Sequence, residues 1–172
     1  MTIDFLEDAI KEDLERLFDG ELFASSAGDQ RPLRIILQDL PAPTGYDETT
    51  RAGDIPEPCI QVYISGGKIA DVNSAQEVSV TLHICLYNDG HPKSGSDRQG
   101  YRGVMHIIQT IYGRYARNPA VQIKPGTSGI EGGSWWFKFP LEWETALARP
   151  YYTGKMTLKF DVPAFRTEDY YT

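Results

Sequence analysis

Residues 76 to 117 contain a change in hydrophobic period that strongly constrains the fold. Five apolar residues alternate with polar ones from Val78 to Leu86, the pattern of a strand that buries one face. The following segment, 87 to 96, is rich in turn-forming residues and cannot continue a strand. Apolar residues then recur from Val104 to Tyr115 at the spacing of one helix face. A helix over 98 to 117 would be about 30 Å long and would cross the back of a sheet.

The same two periods predict the remaining elements. An amphipathic helix is predicted over residues 3 to 18. Further strands are predicted over 31–40, 59–64, 121–124, 134–144 and 155–162. Gly66-Gly67 is predicted to turn the chain, with residues 68 to 72 extending or returning the strand before it. Pro140 lies inside a predicted strand, which is therefore expected at the edge of the sheet or with a bulge.

These elements indicate an α+β fold, because two groups of strands are separated by one helix. We expect a mostly antiparallel sheet, with one long helix and an N-terminal helix packed on one face. The 172 residues fit a single domain, predicted over 1–165, with a flexible tail over 166–172. Residues 39–58 form a long connection rich in proline, glycine and acidic residues. Such a connection is either a solvated loop or an arm that orders against a partner, and both interpretations stay open.

Composition restricts the function classes. A net charge of −7, from 24 acidic and 17 basic residues, argues against nucleic-acid binding by the bulk surface. The charge is compatible with a ring that surrounds DNA, because an acidic lining does not hold DNA. Cys59 and Cys85 lie far apart without CxxC spacing, so we expect no disulfide framework and a reducing compartment. We expect neither a signal peptide nor a membrane span, because the sequence shows neither pattern.

The titratable residues do not form a recognisable catalytic pattern. His83 and Cys85 share a strand face, but no nucleophile-elbow or cysteine-protease signature accompanies them. Asp89, His91 and Asp97 lie in one predicted loop and are an alternative set of metal ligands. Turn formation explains loop aspartates and histidines more often than metal binding does. We therefore expect no catalytic residue, no metal and no cofactor.

Several aromatic residues are candidate interface positions. Trp135 and Trp136 point to opposite faces of one strand, so one belongs to the core and the other is exposed or covered by a partner. An exposed tryptophan can stack on a sugar or a base, or lie in a subunit interface. The absence of a flanking basic cluster favours the interface. Tyr151 and Tyr152 add aromatic surface of the same kind. The face of Trp135 also carries Phe137, Phe139, Leu141 and Trp143.

The run from Arg149 to Pro163 resembles the closing strand of tail terminator and related tail-completion (neck) proteins of long-tailed bacteriophages and prophages. The layout of an N-terminal helix, strands, a long helix and a hairpin is also similar. The resemblance implies a structural virion protein without catalytic residues, located in the phage tail or neck. It implies a ring, typically a hexamer, at the head-proximal end of the tail tube. Such a ring ends tube polymerisation and joins the tail to the head connector.

The resemblance also implies partners and contact residues. The partners would be further copies of the chain, the tail tube protein and the head–tail connector protein, with DNA passing through without specific binding. Loop 39–58 and the glycine-rich segment 126–133 would contact neighbouring subunits or the tube. The expected interface residues are Asp47, Glu48, Arg51, Asp54, Trp136, Arg149, Tyr151 and Tyr152.

Three alternatives stay open at this point. The first is another neck or tail-tube component of the same particle. The second is a small-molecule or sugar-binding module that uses Trp136, Tyr151 and Tyr152 on an open sheet face. The third is a metal-dependent enzyme around Asp89, His91 and Asp97.

Overall fold

A computed structural model describes residues 4–38, 57–71, 74–89, 99–122, 134–148 and 150–162. These residues form two helices, α1 (Asp4–Leu17) and α2 (Gln99–Arg117). Their strands are β1 (Leu22–Ala24), β2 (Gln30–Pro32), β3 (Arg34–Leu37), β4 (Cys59–Lys68), β5 (Gln76–Tyr87), β6 (Ala120–Gln122), β7 (Ser134–Ala148) and β8 (Tyr151–Val162). No helix in these ranges is both long and apolar enough to cross a membrane.

Six strands form one sheet in the order β3-β4-β5-β8-β7-β6, and β1 pairs with β2 in a separate hairpin. β3 and β4 are parallel, whereas the other neighbouring pairs of the sheet are antiparallel. The central strands β5 and β8 pair over their whole length, from Gln76 opposite Val162 to Tyr87 opposite Tyr151. The predicted α+β class with a mostly antiparallel sheet is therefore confirmed.

The core lies between the helices and one face of the sheet. Alternate residues of β5 and β8 point to this face, as the period of two predicts. α1 contacts β3 and β4 near one edge of the sheet and β6 at the other edge, so the sheet curls around the helices. The almost fully buried core residues of β5, β8 and α2 are Val78, Val80, Leu82, Ile84, Leu86, Met156, Leu158, Phe160, Val162, Val104, Ile107, Ile108, Ile111 and Tyr115.

The prediction of a turn at Gly66-Gly67 is wrong. β4 continues through both glycines to Lys68 and stays paired with β5. The register shifts between Ile64 and Gly66, so Ser65 is an extra residue on the β4 side. A bulge of this kind lets a strand bend without ending, and a glycine in a strand often marks one.

The hairpin of β7 and β8 is longer than the pattern predicts. β7 continues to Ala148, and β8 begins at Tyr151 rather than at residue 155. The register between the two strands shifts between Lys138 and Glu142, on either side of Pro140, which confirms the predicted bulge.

The single strand predicted over 31–40 is also wrong, because the chain there forms β2 and β3, which belong to different sheets. Loop 39–58, apart from Glu57 and Pro58, lies outside the described residues, as do segment 126–133 and the tail 166–172.

Candidate interaction surfaces

A largely buried ion pair joins the two helices. Nη2 of Arg114 in α2 donates to Oδ1 of Asp13 in α1 at 3.0 Å, and the two side chains are 20% and 8% exposed. The same guanidinium donates to the carbonyl oxygens of Asn118 and Ala120, just beyond the end of α2. The ring of Tyr115 lies beside the guanidinium of Arg114. Burial is the main cause that raises the pKa of Tyr115, and the negative charge of Asp13 raises it further. The pair holds α1 against the C-terminal part of α2.

The exposed side of α2 is basic in an acidic chain. The helix contains three arginines, one histidine and no acidic residue, although the whole chain has a net charge of −7. A groove of about 570 Å³ runs along this side. His106 in the groove binds Glu21 at 2.9 Å, whereas Arg117 in the last turn is exposed. We call this surface the basic groove. Its lining residues are Leu17, His106, Gln109, Thr110, Gly113, Arg114, Arg117 and Asn118.

α1 has the opposite charge. It contains six acidic and two basic residues, and two of the acidic ones, Glu7 and Asp13, are buried. Near its C-terminal end, a shallow depression of about 340 Å³ is lined by Glu12, Glu15, Arg16 and Asp19. Glu15 and Asp19 are exposed there. We call this surface the acidic depression. Each copy of the chain therefore carries exposed surfaces of both signs on neighbouring elements.

The sheet face away from the helices is polar and ion-paired. Lys138 of β7 lies 2.9 Å from Asp161 and 3.5 Å from Glu77, and these two carboxylates raise its pKa. Lys155 of β8 lies 3.2 Å from Glu144. The partners in these pairs are partly exposed, so solvent screens them and each adds little to stability. Most charged side chains on this face are therefore paired with a side chain of opposite charge, and the face as a whole is neither basic nor acidic.

The structure separates the aromatic residues predicted at an interface. Trp136 is 56% exposed on the polar face, and its role in an interface stays a prediction. Tyr151 is half-buried, and its ring meets that of Tyr87 edge to face at 5.5 Å. The expectation that Tyr152 adds exposed aromatic surface is wrong, because its side chain is 6% exposed. β8 alternates so that Tyr152 points to the core, where its ring lies against Gly100 of α2.

These positions bear on the binding-module alternative. Trp136 lies opposite Asp161, and Tyr151 lies at the other end of β8, about ten residues or roughly 33 Å away. Trp136 and Tyr151 therefore do not line one site, and Tyr152 is not on the open face. The other expected contact residues, Asp47, Glu48, Arg51, Asp54 and Arg149, lie outside the described residues, and their role stays a prediction.

The histidine and cysteines on β4 and β5 form ordinary strand-face contacts. His83 stacks on Tyr63 with 5.5 Å between ring centroids, and its Nε2 lies 3.1 Å from the tyrosine hydroxyl. Burial, and then the charge of Lys155, lower the pKa of His83. Cys85 lies directly opposite Cys59, a neighbour that their separation in sequence does not reveal. Burial raises the pKa of Cys59 to about 12 and that of Cys85 to about 11. Both are therefore protonated, weakly nucleophilic thiols at neutral pH.

In the described ranges, no group of three or more histidine, cysteine, aspartate or glutamate residues could hold a metal ion. Of the three loop residues considered as metal ligands, Asp89 is described and exposed. His91 and Asp97 lie outside the described residues, so their grouping with Asp89 stays a prediction.

Sequence periodicity does not reveal that two aromatic residues on the helix-facing side of β7 are exposed. Phe139 and Trp143 share that side with Trp135, which is fully buried, yet they are 60% and 50% exposed. Tyr115 of α2 packs on Phe137 next to Trp135, whereas Phe139 and Trp143 line a groove between β7 and α2. A period of two assigns a face to each residue, but the extent of the covering helix decides its burial.

Comparison with protein-family models finds no family that matches the chain, and comparison with curated proteins finds no relative.

Proposed function

We propose that the chain is a structural virion-assembly protein of a long-tailed bacteriophage or prophage. In this proposal it forms a ring, a hexamer, at the head-proximal end of the tail tube. The ring ends tube polymerisation and joins the tail to the head connector. The observation that carries the proposal is the presence of two exposed surfaces of opposite charge, the basic groove on α2 and the acidic depression on α1.

A ring requires a heterologous contact, in which one surface of each copy binds a different surface of the next. A two-fold contact makes the same pairing twice, residue i with residue j and j with i, so the two surfaces of opposite charge could also pair across a two-fold axis. Arg117 in the basic groove and Asp19 in the acidic depression are exposed side chains of opposite sign. The charge distribution therefore supports self-association, and a head-to-tail contact closes into a ring when the rotation between copies allows it, whereas a two-fold contact stops at a dimer.

The remaining parts of the proposal follow the resemblance in layout. The tail tube protein and the head–tail connector protein would bind the two ends of the ring. DNA would pass through without specific binding, in agreement with the net charge of −7. The interface residues in loop 39–58 would add to the contact between α1 and α2 of adjacent copies.

The mass in solution tests the proposal. Light scattering behind a sizing column, over a wide concentration range, should show a closed species of roughly six copies. Higher salt should weaken the contact, because ions screen exposed charges over about 8 to 10 Å at physiological ionic strength. A strict monomer at every concentration and salt level would contradict self-assembly through these surfaces.

Charge reversal locates the contact. Arg117→Glu and Asp19→Lys should each reduce the mass, and the double variant should recover part of it, because the two charges are exchanged. Arg102→Glu is the matched control, since Arg102 is exposed on the same helix but does not line the basic groove. Equal losses in Arg102→Glu and Arg117→Glu would show that total charge, and not this contact, controls the mass.

A further inference from the structure

Among the residues that the structure describes, no strand pairs with one edge of β7 along most of its length. β7 has 15 residues, and β8 pairs with it on one side over most of that length. On the other side, β6 pairs only with Ser134 to Trp136, and the amide of Phe137 then donates to the carbonyl of Pro119 at 2.8 Å. Beyond this bond, no strand in the described part of the chain lies along that edge. An open edge presents unpaired N–H and C=O groups to which another strand can bind.

An apolar groove of about 270 Å³ lies beside this edge, between β7 and α2. Tyr112, Phe139 and Trp143 line it and are 49%, 60% and 50% exposed. Half of the surface of three large aromatic side chains amounts to roughly 300 Å². Contiguous exposed apolar patches of this size often mark binding sites in soluble proteins. The full lining is Met105, Ile108, Gln109, Tyr112, Phe139, Leu141 and Trp143.

The other face of the same segment carries two exposed carboxylates. Glu142 and Glu144 alternate with Trp143 and point away from the helices, and the side chain of Glu144 is 71% exposed despite its pairing with Lys155. A strand added beside β7 would place every second side chain near these carboxylates and the others at the apolar groove. Pairing of β7 with β7 of a second copy is disfavoured, because antiparallel pairing about this segment brings like carboxylates together.

The bulge limits the length of the open edge. Pro140 has no N–H to donate, and the register shift between Lys138 and Glu142 bends the strand. A new strand therefore cannot pair regularly past Pro140 towards β6. The rest of β7 runs from Leu141 to Ala148. Its part beside the apolar groove and the two glutamates, Leu141 to Thr145, spans about 17 Å at 3.3 Å per residue.

We propose that the edge of β7 from Leu141 to Thr145 binds an extended segment of a partner protein whose side chains alternate between apolar and basic. Main-chain hydrogen bonds to the edge supply affinity, and the apolar groove and the two glutamates select the side chains. This contact does not depend on the ring, since it uses the other side of α2 and, apart from Gln109, different residues.

A short synthetic peptide of alternating valine and lysine, about seven residues long, is the probe for this site. Calorimetry should show saturable binding, and hydrogen exchange should slow at those amides of 141 to 145 that do not bond to β8. Trp143→Ala should weaken binding at least about tenfold, since aromatic anchors in pockets carry much of the energy of an interface. Trp136→Ala is the matched control, because it removes an equally exposed tryptophan from the opposite face of the same strand. If both substitutions weaken peptide binding equally, the proposed site is wrong.

Two changes to the peptide distinguish strand pairing from non-specific binding. Methylation of alternate peptide nitrogens on the edge that faces β7 should abolish binding, because it removes the main-chain donors. Replacement of lysine by glutamate should weaken binding to the natural chain, and Glu142→Lys should reverse that preference. Binding that is insensitive to both changes would refute the proposal. Self-association of the chain that is lost in Trp143→Ala would also refute it, because the occupant would then be a second copy.

Discussion

Gly154 of β8 lies where α2 approaches the sheet closely, and alanine at this position tests that packing. A Cβ atom on Gly154 would lie 2.7 Å from Cγ1 of Val104, and 3.4 to 3.5 Å from the terminal methyl groups of Ile108 and Ile84. Contact at 2.7 Å is too short for two carbon atoms, so the helix or the strand must move. Val104 is fully buried, and its branched side chain has little rotamer freedom to give way.

The cost of Gly154→Ala follows from two opposing effects. Overpacking of a well-packed core typically costs about 1–3 kcal/mol. Alanine recovers about 0.5–1 kcal/mol, because glycine loses more conformational entropy inside a strand. We therefore expect a net loss of about 1–2 kcal/mol in the free energy of unfolding. For a chain of 172 residues this loss corresponds to roughly 2–8 °C in Tm.

A double-mutant cycle with Val104→Ala tests the cause. Val104→Ala alone should cost about 2 kcal/mol, since it removes two buried methyl groups. In the double variant the new Cβ has room, so the total cost should be smaller than the sum by about 1 kcal/mol or more. Urea unfolding followed by circular dichroism measures all four proteins. Additive costs, or no loss in Gly154→Ala, would refute the close approach of α2 to β8 at this residue.

Three further predictions concern stability. Gly113 lies in α2, and a Cβ added there would meet open space, so Gly113→Ala should raise the free energy of unfolding by about 0.5–1 kcal/mol in urea unfolding. Asp13→Ala or Arg114→Ala should each cost about 3 kcal/mol, because each leaves a largely buried charge without its partner, and the double variant should cost less than the sum. The free energy of unfolding should fall as pH rises above about 9, up to about pH 11 for Cys85 and about pH 12 for Cys59, because over these ranges the unfolded thiol ionises while the folded one stays protonated.

The alkaline effect has a definite slope and a control. Each thiol contributes up to about 1.4 kcal/mol per pH unit between its unfolded and folded pKa values. The variant with Cys59→Ala and Cys85→Ala should therefore lose stability less steeply than the natural chain over this range in pH-dependent urea titrations. If the free energy of unfolding falls equally steeply with pH in both proteins, other groups such as the buried Tyr115 cause the loss of stability at high pH.

Strong periodicity allows a large part of the fold to be predicted. β5 and α2 begin and end within a few residues of their predicted bounds, because both carry an apolar residue at nearly every inward position. Gly66-Gly67 is different, since a pair of glycines has the same sequence signature in a turn and in a bulged strand. Only the pairing of β4 with β5 past Ile64 distinguishes the two.

The sequence pattern does not predict the burial of Tyr152 for a similar reason. Inward positions of β8 are the even-numbered residues, so a period of two continued backwards from Met156 reaches Gly154 and then Tyr152. Because Gly154 interrupts the apolar pattern, residues 151 to 153 do not show the pattern of a strand. The glycine is present because α2 leaves no room for a side chain, which is a property of the packed structure rather than of the strand.

The two proposed surfaces lie on opposite sides of α2, and Gln109 lines both the basic groove and the apolar groove. Close packing at Gly100 and Gly154 keeps α2 against the sheet, so neither surface needs the helix to move. Arg117→Glu should therefore reduce self-association without changing peptide binding, and Trp143→Ala should do the reverse. Joint loss in Arg117→Glu would mean that the substitution displaces α2 itself, and the charge argument would then fail. Joint loss in Trp143→Ala would mean that a second copy occupies the apolar groove, and the argument for a different partner would then fail.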